Sequence, residues 1–215
     1  MSHTLACPLC QWDNCQPFFH DAQRGYRRCE RCQLIYVEPQ FHLSTEAEKA
    51  QYDLHNNHPE DLAYRRFLGR LCEPLLARLP KARQGLDFGS GPGPTLSVML
   101  EEAGHKVVLY DIYYAPDTAV LVRDYDFITA TEVVEHLSRP GLVLSQLWRQ
   151  LKPGGWLGLM TKLAQGKEAF ARWHYKNDPT HIAFFSQYTF IWLAAQWQTE
   201  PEFIGNDVIL LQKPG

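Results

Sequence analysis

The spacing of apolar positions changes near residue 85, and this change predicts two kinds of structure. Between residues 44 and 79 the apolar residues recur every three or four positions, which predicts amphipathic helices. Ser44 is the predicted N-cap of the first helix, and the polar segment 55–59 separates this helix from the next one. We expect Pro74 to kink or divide the second helix, because proline lacks the N–H group that a helix interior uses.

Beyond residue 85, short apolar runs alternate with helical patterns. The predicted strands lie at 85–88, 106–111, 125–130, 156–163, 200–205 and 207–214, and the predicted helices lie at 95–104, 138–151 and 186–197. Strands that alternate with helices predict an α/β fold with a parallel sheet and helices on both faces. The last two strands are too close together for a crossover helix, which predicts an antiparallel end of the sheet.

Four of the six cysteines form two C-x2-C pairs near the N-terminus, namely Cys7, Cys10, Cys29 and Cys32. In a reducing compartment this spacing is typical of a structural site in which four thiolates hold one zinc ion. The aromatic and turn-forming residues between the pairs predict a short hairpin. Cys15 lies between the pairs and is an alternative zinc ligand that the sequence does not exclude. Cys72 belongs to a helical apolar pattern, which predicts that its side chain is buried in the core.

The chain of 215 residues carries a formal net charge of −3, so no general electrostatic attraction to nucleic acid is expected. No apolar run reaches the length of about 18 residues that a transmembrane helix needs. The first residues, MSHTLACPLC, lack the basic and apolar regions of a signal peptide. These features favour a cytoplasmic protein without a membrane partner and leave the oligomeric state open.

The stretch LDFGSGPGPTL contains a glycine-rich turn directly after a predicted strand, with Gly89, Gly91 and Gly93 in the pattern G-x-G-x-G. A dinucleotide site needs a third glycine where Pro94 stands, and a phosphate-binding loop needs a lysine that does not follow here. Asp111 ends the next strand about 20 residues later, where a carboxylate can accept hydrogen bonds from ribose hydroxyls. The turn therefore predicts a nucleoside-like ligand that is not bound through a pyrophosphate.

Four segments, LDFGSGPG, LYD, YDFITATEVVEHL and LKPGGWLGLMT, resemble the successive motifs of class I S-adenosylmethionine-dependent methyltransferases. The resemblance covers roughly residues 60–215. The EVVEHL and LKPGG segments are similar to the ubiquinone-biosynthesis O-methyltransferase type. The four-cysteine module resembles those of zinc-bearing sugar C-methyltransferases and of a class of ribosomal-RNA guanine methyltransferases.

This resemblance implies a Rossmann-like α/β fold with a seven-stranded methyltransferase sheet, or a reduced form of it, whose last strand is antiparallel. The reduced form is expected because the short segment 112–124 leaves little room for the helix and third strand of the family. The implied domains are a zinc-ribbon-like module at 1–38, a helical linker or lid at 39–84 and the methyltransferase domain at 85–215.

The resemblance also implies S-adenosylmethionine as the cofactor and assigns side chains and backbone to it. The glycine turn approaches the methionine part, Asp87 orders the turn, Asp111 holds the ribose, and the residues after the strand 125–130 line the opposite side. The complete set of implied cofactor residues is Asp87, Gly89, Ser90, Gly91, Gly93, Asp111, Ile112, Thr131 and Glu132. Tyr113 and Tyr114 have two open interpretations, as flanks of the adenine ring or as packing residues.

Two segments are expected to reach the methyl acceptor, because they follow strands at the carboxyl edge of the sheet. In the first, Glu132, Glu135 and His136 form a base or a divalent-ion site, or else the two later residues begin a helix. In the second, residues 173–186, His181 is the predicted general base, because a neutral imidazole accepts a proton near pH 7. The alternative for His181, and equally for His174, is a structural histidine that bonds a backbone carbonyl. The predicted catalytic residues are thus His181, His136 and Glu132.

Three residues before the second helix, Tyr52, His55 and Asn56, form either a lid over the pocket or a plain surface loop. The leading functional hypothesis is methyl transfer to a small molecule. The alternatives are an RNA or protein methyltransferase that docks through its zinc module, and a binding protein that kept only the fold. The low net charge argues against RNA, and the intact glycine turn with Asp111 argues against a binding protein. The accepting atom, whether O, N or C, is left open.

Overall fold

The computed structural model describes residues 6–54 and 57–215 as an α/β structure. The strands are β1 (Cys15–His20), β2 (Gly25–Cys29), β3 (Ile35–Val37), β4 (Gln84–Phe88), β5 (Lys106–Tyr110), β6 (Tyr125–Thr131), β7 (Leu151–Met160), β8 (Ala183–Phe184), β9 (Pro201–Ile204) and β10 (Val208–Gln212). The helices are α1 (Thr45–Tyr52), α2 (Leu62–Leu76), α3 (Thr95–Glu102), α4 (Pro140–Gln150), α5 (Lys167–Ala171) and α6 (Gln187–Gln196). Short 3-10 helices lie at Pro39–Phe41, Thr118–Val122, Val134–His136 and His174–Asn177.

The larger sheet has six strands in the order β5-β4-β6-β7-β10-β9. The first four of these are parallel, and β10 is antiparallel to both of its neighbours. This arrangement confirms the predicted Rossmann-like α/β fold with an antiparallel end, in its reduced form. The segment 112–124 contains a 3-10 helix and no strand, since a parallel crossover alone takes a dozen or more residues.

Helices cover both faces of this sheet, as predicted. Adjacent residues of β6 point to opposite faces, so Phe127 and Ile128 belong to different cores. On one face α2 and α3 pack with Phe127 and bury Cys72, which confirms its predicted place in the core. On the other face α4 and α6 pack with Ile128. Each core thus anchors the sheet whose carboxyl edge carries the candidate site.

Three local predictions need correction. Pro74 does not divide the second helix, because α2 continues two residues past it. The strand predicted at 156–163 begins earlier, because 152–155 lies inside β7, where the pairing with β6 shifts its register. The segment 173–186, expected to reach the methyl acceptor, contains the short strand Ala183–Phe184, which the sequence pattern did not predict. That strand is stabilised by pairing with a distant partner, which local spacing cannot reveal.

The smaller sheet has the order β1-β2-β3-β8, and its strands pair in antiparallel fashion. The predicted hairpin between the cysteine pairs is present as β1 and β2. The fourth strand comes from the region after β7, and the Val37 N–H extends this contact by donating to the Ile182 carbonyl at 2.9 Å. Phe18 and Tyr26 of the hairpin pack with Phe170 and other aromatic rings of the same region. The N-terminal residues are therefore joined to the segment predicted to face the acceptor.

Among the described residues, the helices are all too short or too polar to cross a membrane.

Candidate active site and metal centre

The glycine turn connects β4 to α3 and is fixed to the end of β5. Gly89 and Gly91 adopt φ values of +73° and +65°, in the left-handed region that favours glycine. The N–H groups of Gly89 and Ser90 both donate to the Tyr110 carbonyl, at 2.7 and 3.3 Å. The turn is thus a rigid loop at the carboxyl edge of the sheet.

Side-chain space differs between the three glycines. A Cβ on Gly89 would lie 2.4 Å from a methyl group of Val133, and one on Gly93 would lie 1.8 Å from the Asn57 carbonyl oxygen. A Cβ on Gly91 would meet nothing within 4 Å, so this part of the turn borders open space. Next to it, the Ser90 hydroxyl is buried and has no hydrogen-bond partner. A ligand that satisfies this hydroxyl and approaches Gly91 fits the turn.

Asp111 lies under the turn, with 8% of its surface exposed. Its carboxylate accepts hydrogen bonds from the N–H groups of Gly91 at 3.0 Å, Tyr113 at 2.8 Å and Tyr114 at 3.1 Å. Asp111 therefore ties the glycine turn to the loop after β5. A carboxylate has about four lone-pair sites, so one remains for a ribose hydroxyl. The predicted neighbour Ile112 is 66% exposed.

Asp87 is buried beneath the same turn, and its Oδ1 accepts a hydrogen bond of 2.8 Å from the Thr129 hydroxyl. Burial raises the pKa of this carboxyl to about 6, although the bond from Thr129 opposes the change. The side chain lies in β4 and joins it to β6. Asp87 therefore connects the two strands at the base of the turn, and its role in the cofactor site stays a prediction.

Helix α1 lies close to the loop after β5. Glu48 accepts hydrogen bonds from the hydroxyls of Tyr52 at 2.9 Å and Tyr113 at 2.7 Å. The Tyr113 side chain is therefore bonded to this helix. Tyr52 lies in α1, and the lid over the pocket stays a prediction. The other two residues of that prediction, His55 and Asn56, lie outside the described residues.

A buried acidic cluster follows β6. Glu132 has a φ of +53°, a strained value for a residue with a side chain, and its N–H donates to the Met160 carbonyl at 2.8 Å. Its Oε2 lies 3.3 Å from the Tyr175 hydroxyl, and its Oε1 is buried without a partner. Glu135 is fully buried, also accepts from the Tyr175 hydroxyl, and has one unpartnered oxygen. Burial raises the pKa of both carboxyls, and the charge of Glu132 raises that of Glu135 further.

Two histidines adjoin this cluster. His136 Nδ1 lies 3.2 Å from the Thr180 carbonyl, His181 Nδ1 lies 2.7 Å from the Tyr175 carbonyl, and the two rings are 4.7 Å apart. A carbonyl only accepts, so each Nδ1 carries a proton. Burial lowers the pKa of His181, which favours the neutral ring. His181 bonds a carbonyl, as its structural interpretation predicts, and its Nε2 lies 3.7 Å from the Asp178 carboxylate. Its role as general base stays a prediction.

Glu135, His136 and His181 offer ligand atoms that all lie within 4.8 Å of one another. A histidine that donates its other nitrogen to a carbonyl is typical of metal ligands, since that bond fixes the ring. The three side chains could hold a divalent ion. Glu132, which the sequence grouped with Glu135 and His136, is absent from this set.

The sequence analysis missed Tyr175, although it is the centre of the cluster. Its hydroxyl contacts both glutamates, and its ring centroid lies 4.1 Å from that of His181. The available signal was an aromatic residue in a polar segment after a strand. Tyr64 of α2 was also missed. Burial, with smaller effects from the charges of Asp87 and Glu132, raises its pKa to about 12.

The four predicted zinc ligands, Cys7, Cys10, Cys29 and Cys32, form a second group whose sulfur atoms all lie within 4.8 Å of one another. The Sγ atoms of Cys7 and Cys32 are 3.6 Å apart, and those of Cys10 and Cys29 are 3.4 Å apart. A tetrahedral zinc with bonds of about 2.3 Å requires sulfur separations near this range, roughly 3.8 Å. The residues present therefore fit the ion. Cys15 stands outside the group and its thiol contacts the Trp12 carbonyl.

Each cysteine pair lies in its own backbone turn, and the two turns have the same conformation. Gln11 and Gln33 follow the pairs with φ values of +58° and +60°. Their N–H groups donate to the carbonyls of Cys7 at 2.9 Å and Cys29 at 3.1 Å. Both turns thus direct their thiols toward one point.

Arg24, in the turn between β1 and β2, is buried and contacts the loop that carries Tyr175 and His181. Its guanidinium donates to the carbonyls of Lys176, Asp178 and Pro179. The carboxylate of Asp21 lies 3.1 Å from the Lys176 ammonium group. The loop is therefore held from the side of the N-terminal sheet.

The strand order, the antiparallel end of the sheet and the glycine turn above Asp87 and Asp111 define the α/β fold of a methyltransferase. A family profile described as a methyltransferase domain matches residues 30–199, and the chain belongs to this family of S-adenosylmethionine-dependent enzymes.

Solved structures agree on the fold. A 1,6-didemethyltoxoflavin N1-methyltransferase from Burkholderia thailandensis, bound to 1,6-didemethyltoxoflavin and S-adenosylhomocysteine, is 18% identical with a TM-score of 0.51. The match covers 93% of this chain and 100% of that one. The magnesium protoporphyrin IX methyltransferase of Synechocystis PCC 6803, bound to S-adenosylhomocysteine, is 15% identical with a TM-score of 0.52, over 80% and 94% of the two chains. No curated protein gives a significant match.

Proposed function

We propose that this methyltransferase transfers its methyl group to a small molecule whose accepting group loses a proton. The observation that carries this proposal is the buried, unpartnered Oε1 of Glu132. It lies directly after β6, at the edge of the sheet that also holds the glycine turn. The strained backbone of Glu132 supports a functional role, because conformations that cost about 1–3 kcal/mol persist chiefly at working sites.

The cofactor site that we propose spans the carboxyl ends of β4, β5 and β6. Ser90 and Gly91 contact the methionine part, Asp111 accepts from the ribose, and Thr131 and Glu132 line the far side. The unpartnered Ser90 hydroxyl and the open space at Gly91 support this assignment. S-adenosylmethionine supplies the methyl group on a sulfonium centre, and the protein holds the reactants in line.

The acidic cluster is the proposed proton acceptor. A carboxylate whose pKa is raised by burial takes a proton near neutral pH more readily than an exposed one. Glu132 has the free oxygen, and Tyr175 connects it to Glu135. His136 and His181 adjoin this pair, and the imidazole of His181 can receive or return a proton. The catalytic set is thus Glu132, His136 and His181, with Glu132 nearest the acceptor.

In an alternative version of this proposal, Glu135, His136 and His181 hold a divalent ion. The unpartnered Glu135 oxygen and the short distances between the three ligand atoms favour it. Such an ion would stabilise negative charge on an ionised acceptor. In that form the histidines are ligands and not proton carriers.

The zinc module, in this proposal, supports the active site and does not dock a macromolecule. The four cysteines hold one structural zinc, and β3 pairs with β8 beside the acceptor side of the site. This use of the module, with the net charge of −3, favours a small acceptor over RNA or protein. The similarity of EVVEHL to the ubiquinone-type branch is consistent with a small hydroxylated acceptor and stays a prediction.

Label partition tests this proposal. The protein is incubated with S-adenosylmethionine carrying a tritiated methyl group and with a bacterial extract separated into metabolites, RNA and protein. We expect label in the metabolite fraction with the wild-type protein and almost none with Glu132→Gln. The exposed-site variant Glu168→Gln is the matched control and should label normally. Enzyme-dependent label confined to RNA or to protein would overturn the small-molecule assignment.

A further inference from the structure

A cavity of about 1080 Å³ is lined by Lys162, whose ammonium group lies 5.1 Å from the ring of Tyr175 in the acidic cluster. It lies beyond the carboxyl end of β7, between the smaller sheet, the start of α6 and the turn before β10. Its walls include Arg28 from β2, Lys162 and Leu163 after β7, and Trp173 and His174 from the following segment. The inference below concerns the acceptor and therefore rests on the proposed function.

Two of the cationic side chains that line the cavity, Arg28 and Lys162, form no ion pair within 4.0 Å among the described residues. By contrast, Arg70 in the same wall is paired with Asp207 at 2.6 Å. Lys162 Nζ lies 3.2 Å from His174 Nε2, and an ammonium group only donates, so this contact leaves the lysine charged. Burial raises the pKa of Glu132 and the charge of Lys162 lowers it, which shows that the cation lies close enough to the acidic cluster to act on it. Two cations thus line a cavity in a chain whose net charge is −3.

The N-terminus of α6 adds to the positive electrostatic potential of the cavity. Ser186, Gln187 and Tyr188 line the cavity, and they are the N-cap and first two residues of a ten-residue helix. The capping box of Ser186 and Thr189 satisfies only part of the first turn. The remaining N–H groups carry the positive end of the helix dipole, which favours an anion.

Lys162 connects the cavity to the proposed catalytic residues. Its ammonium nitrogen lies 5.1 Å from the Tyr175 ring centroid, and the Tyr175 hydroxyl is 3.3 Å from Glu132. A molecule in the cavity with an anionic group near Lys162 can therefore extend toward Glu132. Leu163 and Trp173 give the same cavity apolar walls that suit a ring or chain.

We propose that the methyl acceptor is a small organic anion, a carboxylate or phosphate ester with an apolar or aromatic body. Its anionic group is held between Arg28, Lys162 and the start of α6. Its accepting atom points to Glu132. Hydrogen bonds from charged donors contribute about 1.5–3 kcal/mol each, so such an acceptor is distinguished from its neutral analogue by about tenfold or more.

Ligand-observed NMR on the protein saturated with S-adenosylhomocysteine tests this inference. The probes are two matched pairs, benzoate with benzyl alcohol and phenyl phosphate with phenol. We expect at least one anion to bind about tenfold more tightly than its neutral partner, and the preference to weaken at high salt. The better anion shows whether the site takes a carboxylate or a phosphate.

Arg28→Gln and Lys162→Gln should each reduce anion binding about fivefold or more and leave S-adenosylhomocysteine affinity unchanged. Lys167→Gln is the matched control, since it removes the same charge next to the cavity wall at Gly166 without lining the cavity. Equal binding of anions and neutral analogues, or full anion binding by both variants, would overturn the inference. A wild-type protein that binds anions in this way but never binds S-adenosylhomocysteine would instead contradict the proposed function, so the two failures are distinguishable.

Discussion

Arg24 donates a hydrogen bond of 2.8 Å from Nη2 to the backbone carbonyl of Asp178, 154 residues further along the chain. The first residue lies in the hairpin between the cysteine pairs, and the second lies in the loop between Tyr175 and His181. A residue of the N-terminal hairpin is thus hydrogen-bonded to the backbone of the candidate active site. Its structural role is to hold that loop in place.

Replacing this arginine should loosen the loop. In Arg24→Met, the carbonyls of Lys176, Asp178 and Pro179 lose the hydrogen bonds from the guanidinium, at a cost of about 1–3 kcal/mol in the free energy of unfolding. The Asp178 carbonyl keeps its bond from the His181 N–H, and the Lys176 carbonyl keeps the contact with the Tyr26 hydroxyl. We expect faster amide hydrogen exchange at 174–181 with unchanged affinity for S-adenosylhomocysteine. Arg123→Met, at an exposed site, should alter neither quantity. Native exchange rates throughout 174–181 in Arg24→Met would refute the role assigned to Arg24.

Loss of zinc should destabilise the residues that follow the same loop, although the cysteines do not belong to it. Cys7→Ser combined with Cys29→Ser leaves two of four thiolates, so we expect the loss of one zinc equivalent per chain by mass spectrometry. Because the smaller sheet includes β8, hydrogen exchange should also rise at 182–185. Cys72→Ser, which removes a thiol from the core, should keep its zinc. Retention of the full zinc content by the double variant would exclude the four-thiolate site.

Stability should depend on pH through Asp87. Its folded pKa is about 6, against an ordinary value of 3.8, so between these values the folded chain binds more protons than the unfolded chain. The free energy of unfolding should therefore fall as pH rises from about 4 to 6, by roughly 2–3 kcal/mol from this group, and then level off. Asp87→Asn should remove this slope and be the more stable protein at pH 7.5. Denaturant titrations across this range measure the difference, and parallel curves for both proteins would contradict it.

Glu132→Gln should separate chemistry from binding. The variant keeps the size of the side chain but cannot accept a proton, so methyl transfer should fall about 10²–10⁴-fold. The affinity for S-adenosylhomocysteine should fall far less, because the amide keeps the shape of the side chain that lines the cofactor site. Loss of a buried, unpartnered carboxylate should also increase thermal stability. Radiolabel transfer and calorimetry are the two measurements. A variant that transfers methyl groups at the wild-type rate would remove Glu132 from the mechanism.

Local sequence patterns predicted the features that are local in structure. The glycine turn, the acid at the end of β5 and the paired cysteines each follow from a short spacing with a physical cause. Asp111 shows the limit of such patterns, because its carboxylate also accepts three backbone N–H groups that no motif announces. The same holds for Gly93, whose small size is required by the distant Asn57 carbonyl.

The parts that could not be predicted depend on contacts between distant segments. Neither Arg24 nor Tyr175 belongs to a periodic pattern, and the importance of each comes from partners that only the fold brings together. The two-residue strand β8 exists because β3 supplies its hydrogen bonds. The sequence therefore predicts which residues gather at the carboxyl edge of the sheet, and the long-range contacts determine how they are held there.

Calorimetric titration with S-adenosylhomocysteine tests the central claim most directly, on the wild-type protein, Asp111→Asn and the control Asp117→Asn. Asp117 caps a 3-10 helix in the neighbouring segment and lies outside the proposed cofactor site. The account predicts micromolar binding by the wild type and the control, and at least about tenfold weaker binding by Asp111→Asn. A folded wild-type protein that does not bind, or equal affinity in Asp111→Asn, would contradict the cofactor site described above.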